Sequence, residues 1–308
     1  MTGATGFAGR HLVEHLLERE PALAAWANPG GAPPGSPHAA VSWDTVDLLD
    51  SPSVERALAS LRPTAIYHCA GVADVAGSWA NPQHALRVNA IGTHHLIEGA
   101  RRAGLSCPLL VTGSALVYRP SPQPITEDSE VGPASPYAVS KLAQEMLAAR
   151  VTFAPTFLPR PFNHAGPRQS DAYVTSAFAR QIAEIEAGRC APELRVGNLD
   201  ARRDITDVRD VVRAYRLLVE RGQPRRVYNV CSGVAHRVGD LLELLIGMAR
   251  ARVTVSTDPA TLRPSDNPVV AGDRTRIGEE TGWMPEIPIE RTLADLLEYW
   301  RRQVSLRG

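Results

Sequence analysis

Gly3, Gly6 and Gly9 recur at intervals of three in the opening stretch Thr2-Gly-Ala-Thr-Gly-Phe-Ala-Gly9, and this spacing constrains the fold more than any other feature of the chain. Glycines so placed let the backbone turn tightly and approach a pyrophosphate, whose charge is met by the free amides of a helix N-terminus. A helical pattern does follow, with Leu12, Val13, Leu16 and Leu17 on one face. Taken alone, the same run would suit any turn before a helix. Only Met1 precedes Thr2, so the central strand that normally delivers such a loop is expected to be missing by truncation, leaving its neighbours' edges open.

The next stretches alternate between two periods. Ala65-Ile-Tyr-His-Cys-Ala70 and Leu109-Leu-Val-Thr-Gly113 read as strands, and Leu86, Asn89, Ala90, Thr93, Leu96 and Ile97 between them recur at helical spacing. Such alternation is the sequence form of a parallel sheet wrapped by helices, so an α/β fold is expected. After about residue 160 the pattern loosens into loops rich in Pro, Arg and Asn, broken by a helix from Tyr173 to Ala187 and closed by one from Leu293 to Arg301. Residues 1–160 are therefore expected to form the dinucleotide-binding domain and 161–308 mainly a smaller substrate lobe, with a strand near 227–231 returning to the first domain. The stretch from Asn28 to Pro37 is too rich in Pro and Gly for regular structure and reads as a surface loop.

Charge and cysteine usage narrow the partners. Lys plus Arg equals Asp plus Glu at 33 each, so no net field attracts a nucleic acid or an anionic membrane. Cys69, Cys107, Cys190 and Cys231 are scattered singly, which predicts reduced core thiols and neither a metal site nor a disulfide framework. No run approaches the roughly 18 apolar residues of a membrane span and no leader pattern opens the chain, so a cytoplasmic location is expected.

Tyr137-Ala-Val-Ser-Lys141 follows Pro136, and on a helix its spacing puts phenol and ammonium on one face. A tyrosine with a pKa of about 10 is poorly matched to proton transfer near neutrality, and a nearby ammonium favours its ionised form. Ser114 follows the strand ending at Gly113, at the end of the sheet where α/β folds place ligands, and its hydroxyl can hold a substrate oxygen. A Tyr and a Lys four apart are also a common exposed helical pair; the glycine loop, strand and serine that precede them favour the chemical reading.

With these motifs in place, the chain resembles the extended short-chain dehydrogenase/reductase (NAD-dependent epimerase/dehydratase) family over essentially its whole length. The resemblance implies a Rossmann-type parallel sheet with helices on both faces and a catalytic triad of Ser114, Tyr137 and Lys141. It also implies that NADP or NAD is held by Gly3, Thr5, Gly6, Phe7, Gly9, Asp47, Leu48 and Ala70, together with Tyr137 and Lys141. Asn89 matches the family's helix asparagine near the active site. Asp47 is placed to accept from an adenine amino group, with a solvated loop aspartate as the alternative. Leu158-Pro-Arg-Pro-Phe-Asn-His-Ala-Gly-Pro-Arg168, Val196-Gly-Asn-Leu-Asp-Ala-Arg-Arg-Asp204, Arg263-Pro-Ser-Asp266 and Thr281-Gly-Trp-Met-Pro285 resemble the branch that handles GDP-mannose derivatives. They imply a nucleotide-sugar substrate, with Asn163 positioning it and Arg203, Arg263 and, more weakly, Arg168 meeting its phosphate and ribose. A homodimer through the helices bearing Asn89–Ala100 and Tyr137–Ala149 is implied likewise.

The reaction is narrowed by one position. Dehydratases of this branch resemble one another in placing an acid two residues after the triad Ser or Thr, and here that residue is Leu116, which has no proton to give. Reduction of a C4 ketone, on a sugar such as GDP-4-keto-6-deoxy-D-mannose, and 4-epimerisation both stay open, with the resemblance favouring the reductase. A non-catalytic nucleotide-sugar or cofactor binder is the reading from another class. Ala24-Ala-Trp-Ala-Asn28 offers neither the acid typical of NAD sites nor the base typical of NADP sites, and Arg119, where the family usually has glycine, is expected to narrow the pocket mouth.

Overall fold

The computed structural model describes residues 1–31, 39–257 and 268–306. Its strands are β1 (Leu23–Ala27), β2 (Val41–Thr45), β3 (Ile66–His68), β4 (Leu109–Val111), β5 (Thr156–Pro161), β6 (Asn163–Ala165), β7 (Glu193–Val196), β8 (Arg202–Asp207), β9 (Val227–Val230), β10 (Ala235–Arg237), β11 (Thr254–Thr257) and β12 (Val269–Val270). Its α-helices are α1 (Phe7–Leu17), α2 (Ser51–Leu61), α3 (Val75–Ala80), α4 (Pro82–Leu86), α5 (Gly92–Arg102), α6 (Pro136–Ala149), α7 (Val174–Glu186), α8 (Val208–Arg221), α9 (Val238–Gly247), α10 (Thr275–Thr281) and α11 (Ile289–Leu306). A π-helical stretch, Arg87–Ile91, joins α4 to α5.

Strands β3, β4, β5 and β9 lie side by side and parallel, and β1 pairs with β2 in the same sense. The expected gap at the centre of the sheet is narrower than the sequence implied. Thr2 bridges in parallel to Trp26 of β1 and to His68 of β3. Its amide donates to Tyr67 O (3.0 Å), the Cys69 amide to Thr2 O (3.3 Å) and the Trp26 amide to Met1 O (2.8 Å). Two residues thus stand in the central position, because they meet the backbone groups at the C-terminal ends of both flanking strands, where the glycine loop must be held.

Alternation along the strands sorts side chains to two cores. Tyr67, Leu110, Phe157 and Tyr228 pack with Leu12 and Leu16 of α1 and Val211, Tyr215 and Leu218 of α8. Ile66, Leu109, Val111 and Leu158 pack on the opposite face with Val54 and Leu58 of α2, Leu96 and Ile97 of α5 and Ala148 of α6. The chain is an α/β protein whose parallel sheet carries helices on both faces.

The remaining elements build a third core from Phe178 and Ile182 of α7, Leu194 of β7, Leu241 of α9 and Leu296 and Trp300 of α11. Strand β8 anchors this lobe, pairing with β6, β10 and β12. Helix α7 spans Val174–Glu186, and the closing helix runs Ile289–Leu306, longer at both ends than its apolar pattern indicated. Cys231 is buried and Cys190 exposed, with Cys69 and Cys107 between, so the thiols are free but not all in the core. Positions 32–37 of the Pro- and Gly-rich loop lie outside the described residues. Within the described residues, no helix is long and apolar enough to cross a membrane, and no His, Cys, Asp and Glu cluster has metal-site geometry.

Asp204 is 1% exposed and ties three segments together. One carboxylate oxygen accepts from Ser232 N (2.8 Å) and Ser232 Oγ (2.6 Å), the other from Gly233 N (2.9 Å) and Gly272 N (3.2 Å). Asp204→Ala would strand these buried donors, so urea unfolding is expected to show a loss of about 3 kcal/mol. A loss below about 1 kcal/mol would mean that the loops close without the carboxylate.

Candidate active site

The glycine loop is packed backbone against backbone. Gly3 has φ +70°, and a Cβ there would stand 2.5 Å from Ala70 N; a Cβ on Gly9 would stand 1.9 Å from Gly3 O. Only glycine fits either place. Gly6 caps α1 without a side-chain hydrogen bond, so no side chain takes the amides of the first turn. Those amides and the close-packed loop fit a dinucleotide pyrophosphate. Phe7 itself stacks on His164 of β6 (5.7 Å between centroids), which ties the loop to the second lobe.

Burial lowers the His68 pKa to about 3, so its ring is neutral and one nitrogen donates while the other accepts. The Thr93 hydroxyl donates to Asn89 O (2.6 Å), so it accepts from His68 Nε2 (2.8 Å). His68 Nδ1 then accepts from Thr2 Oγ1 (2.7 Å), which in turn accepts from Ala70 N (3.2 Å). At the far end, Asn89 Nδ2 donates to Ser140 Oγ (2.8 Å), and Ser140 Oγ to Tyr137 O (2.7 Å). Through the backbone and side chain of Asn89, these bonds join the cofactor loop to the helix bearing Tyr137. The π-helical turn that carries Asn89 is the irregularity that gives this side chain both Ser140 and the Val72 backbone (2.8 and 3.2 Å) as partners.

Ser135 caps α6 by accepting from Ala138 N (3.1 Å), and Pro136 occupies its first turn. Ser114 lies just past β4, where its Oγ accepts from Leu116 N (3.2 Å). Burial raises the Tyr137 phenol to about 12, against a pull downwards from its bond with the Ser114 hydroxyl; Tyr173 adds to the rise. Lys141 Nζ donates to Thr112 O (2.5 Å) and Gln144 Oε1 (2.7 Å). These two oxygens hold the ammonium on the side of β4 and its own helix. Burial brings Lys141 itself down to about 8. Behind it, Arg160 clamps Glu145 through Nε (2.8 Å) and Nη2 (2.6 Å) and lies 4.5 Å from the centre of the Tyr118 ring.

The other sequence candidates are placed unevenly. Asp47 is exposed, with one carboxylate oxygen on Leu49 N (2.8 Å), while Leu48 is buried at 9% exposure. Asn163 is exposed on β6. Arg203 is the second residue of β8, where Nη1 donates to Arg202 O (2.8 Å) and burial lowers its pKa. Arg168 donates to both oxygens of the exposed Glu14 on α1 (2.8 and 2.7 Å). Arg119 turns outward to Glu130 (2.9 Å) with its side chain 62% exposed, which removes the expected narrowing of the pocket mouth. Arg263 lies outside the described residues. Sequence reasoning missed Gln144, His68 and Tyr173. Gln144 was visible as the residue one turn beyond Lys141, and His68 as the polar residue inside an apolar strand, whereas Tyr173 reaches Ala73 O (3.3 Å) across the lobes with no local signal.

A glycine-loop sheet with Ser, Tyr and Lys gathered at its C-terminal end defines a nicotinamide-dependent oxidoreductase of the extended short-chain dehydrogenase/reductase type. The sequence profile described as GDP-mannose 4,6 dehydratase matches residues 1–296, and the chain belongs to that family of NAD(P)-dependent nucleotide-sugar enzymes. It is 36% identical to the GDP-6-deoxy-D-mannose reductase of Pseudomonas aeruginosa, over 99% of this chain and 97% of that one. Its fold superposes on the RMD protein of Pseudomonas aeruginosa complexed with NADPH at a TM-score of 0.86, with 33% identity and 98% and 97% of the two chains covered. The UDP-glucose 4-epimerase of Thermotoga maritima, solved with UDP-glucose, gives 0.87 at 26% identity, covering 98% of each chain.

With Lys141 near 8, its ammonium is present below that pH and lost above it. Cofactor affinity of the free protein, followed by fluorescence titration, is expected to fall as pH rises through 8, and Lys141→Met should flatten the profile. A wild-type profile flat from neutrality to well above 8 would remove the ammonium from cofactor binding.

Proposed function

We propose that the protein reduces the C4 ketone of a nucleotide-linked 4-keto-6-deoxy sugar, GDP-4-keto-6-deoxy-D-mannose being the preferred substrate and GDP-D-rhamnose the product. The observation that carries this reading within a dehydratase family is Leu116. The residue two beyond Ser114 is half exposed at the site and has no ionisable group, so the acid needed to eliminate water is not supplied there. The likeness to a GDP-6-deoxy-D-mannose reductase along nearly the full length of both chains supports the same choice.

NADPH or NADH, when bound, supplies the hydride that C4 receives. Ser114 Oγ donates to the ketone oxygen and polarises it. The phenol of Tyr137, held in its protonated form by burial, gives that oxygen its proton, so the carbonyl becomes a hydroxyl. Lys141 holds the cofactor ribose and stabilises the phenolate left behind. Asn163, Arg203 and Arg263 orient the nucleotide diphosphate, and Asp47 receives the adenine amino group. A 4-epimerase would use the same three groups in both directions while keeping its cofactor bound, which is why turnover must be read as net cofactor consumption.

Adding GDP-4-keto-6-deoxymannose to protein and NAD(P)H is expected to consume cofactor and sugar in equal amounts. Tyr137→Phe should abolish the loss of NAD(P)H absorbance while leaving cofactor binding intact. No consumption by folded protein with either cofactor would sink the reductase reading.

We further propose a homodimer, in the cytoplasm where such substrates occur. The segments named for it carry exposed apolar side chains: Ile91, Val139 and Met146 are 44–56% exposed. Val139→Glu with Met146→Glu is expected to convert a dimer to a monomer in light scattering; an unchanged mass would place the interface elsewhere.

A further inference from the structure

We propose that Arg10 binds the 2′-phosphate of the cofactor's adenosine ribose, so that the protein takes NADPH in preference to NADH. This rests on the preceding reading only in treating the glycine loop as the nicotinamide-cofactor site. In such folds the chain just past the strand beside the glycine loop decides the matter: an acid there bonds the 2′-hydroxyl of NAD, and a cation nearby accommodates the phosphate of NADP. The described chain past β1, Asn28-Pro-Gly-Gly31, contains no acid.

This corner meets the glycine loop. A Cβ built on Gly31 would stand 2.2 Å from Asn28 Oδ1 and 3.2 Å from Thr5 Oγ1, so Asn28, Gly31 and Thr5 crowd one spot. Arg10, in the first turns of α1, donates from Nε to Thr5 O (3.0 Å), which pins its guanidinium beside the same loop residue. Among the described residues it forms no ion pair with a carboxylate. The acid one turn further along α1, Glu14, is taken by Arg168 (2.7 Å), and Asp47 past β2 turns an oxygen to Leu49 N.

An uncompensated cation near a helix N-terminus is disfavoured by the helix dipole, whereas a bound anion is favoured there by both dipole and cation. A ribose phosphate resolves that conflict. Asn28 and Thr5 add neutral donors of the kind a phosphate accepts, and no acid stands past β1 to repel it.

The test is direct binding rather than turnover. NADPH, NADH, 2′,5′-ADP and 5′-ADP would be titrated calorimetrically into the wild type and Arg10→Ala. The wild type is expected to bind NADPH and 2′,5′-ADP about tenfold more tightly than their counterparts lacking the phosphate. Arg10→Ala should erase that difference and leave NADH affinity within about twofold; if the substitution merely loosened the loop at Thr5, both cofactors would weaken together. Equal wild-type affinities, or parallel weakening in Arg10→Ala, would overturn the role of Arg10 while leaving the cofactor site standing. Binding of neither cofactor by folded protein would overturn both.

Discussion

The hydrogen-bond path through His68 is the constraint on which the rest of the site depends. It begins on Thr2, whose backbone bridges β1 and β3, and ends on the first turn of α6. A neutral imidazole can serve this path because each ring nitrogen has one partner of the required polarity, Thr2 on one side and Thr93 on the other. An ionised ring would be a donor at both nitrogens and would contest the Ala70 amide for Thr2. Burial forbids that form, so the same burial that makes the histidine costly to charge fixes its tautomer and thereby the position of the glycine loop.

Burial also sets the protonation states on α6, in opposite directions for its two functional groups. The phenol is pushed up and the amine down, so the phenol stays protonated at neutrality while the ammonium is lost only above about pH 8. Thr112 O and Gln144 Oε1 partly offset this for Lys141 by offering two acceptors to the ammonium. One turn beyond Lys141, Glu145 is neutralised by the two-pronged contact from Arg160, which keeps a bare carboxylate away from the phenol. The resulting environment holds Tyr137 as a proton donor, the state that a ketone reduction begins from and that proton abstraction does not.

Much of this was legible because local spacing maps directly to local geometry. Three glycines at fixed intervals become two backbone contacts no other residue fits, and Tyr137 with Lys141 four apart fall on one helical face. Alternation in Ile66-Tyr67 and Leu109-Leu110-Val111 assigned sheet faces without any tertiary information. What could not be read is what depends on partners distant in sequence. The contact of Arg168 with Glu14 spans the two lobes, the reach of Tyr173 to Ala73 crosses between them, and the direction of the Lys141 ammonium depends on Thr112 O at the end of another strand. At the sheet's C-terminal end, Met1 and Thr2 bridge β1 and β3, a pairing that depends on backbone groups far apart in sequence.

The buried acids of β8 and α8 are taken up by structural partners. The motif that carried the resemblance ends in Asp204, which is consumed in holding Ser232, Gly233 and Gly272. Asp207 caps α8 and binds Arg209 and Thr292, and Asp210 receives the amides of Glu286 and Ile287. Each is 1–2% exposed, and their partners leave them structural. A fold shared with dehydratases and epimerases does not choose among their reactions; the choice falls to which side chains remain able to move a proton at the sugar. Among the described residues these carboxylates are held by structural partners and Leu116 carries no ionisable group, whereas Tyr137 keeps a hydroxyl that can give a proton.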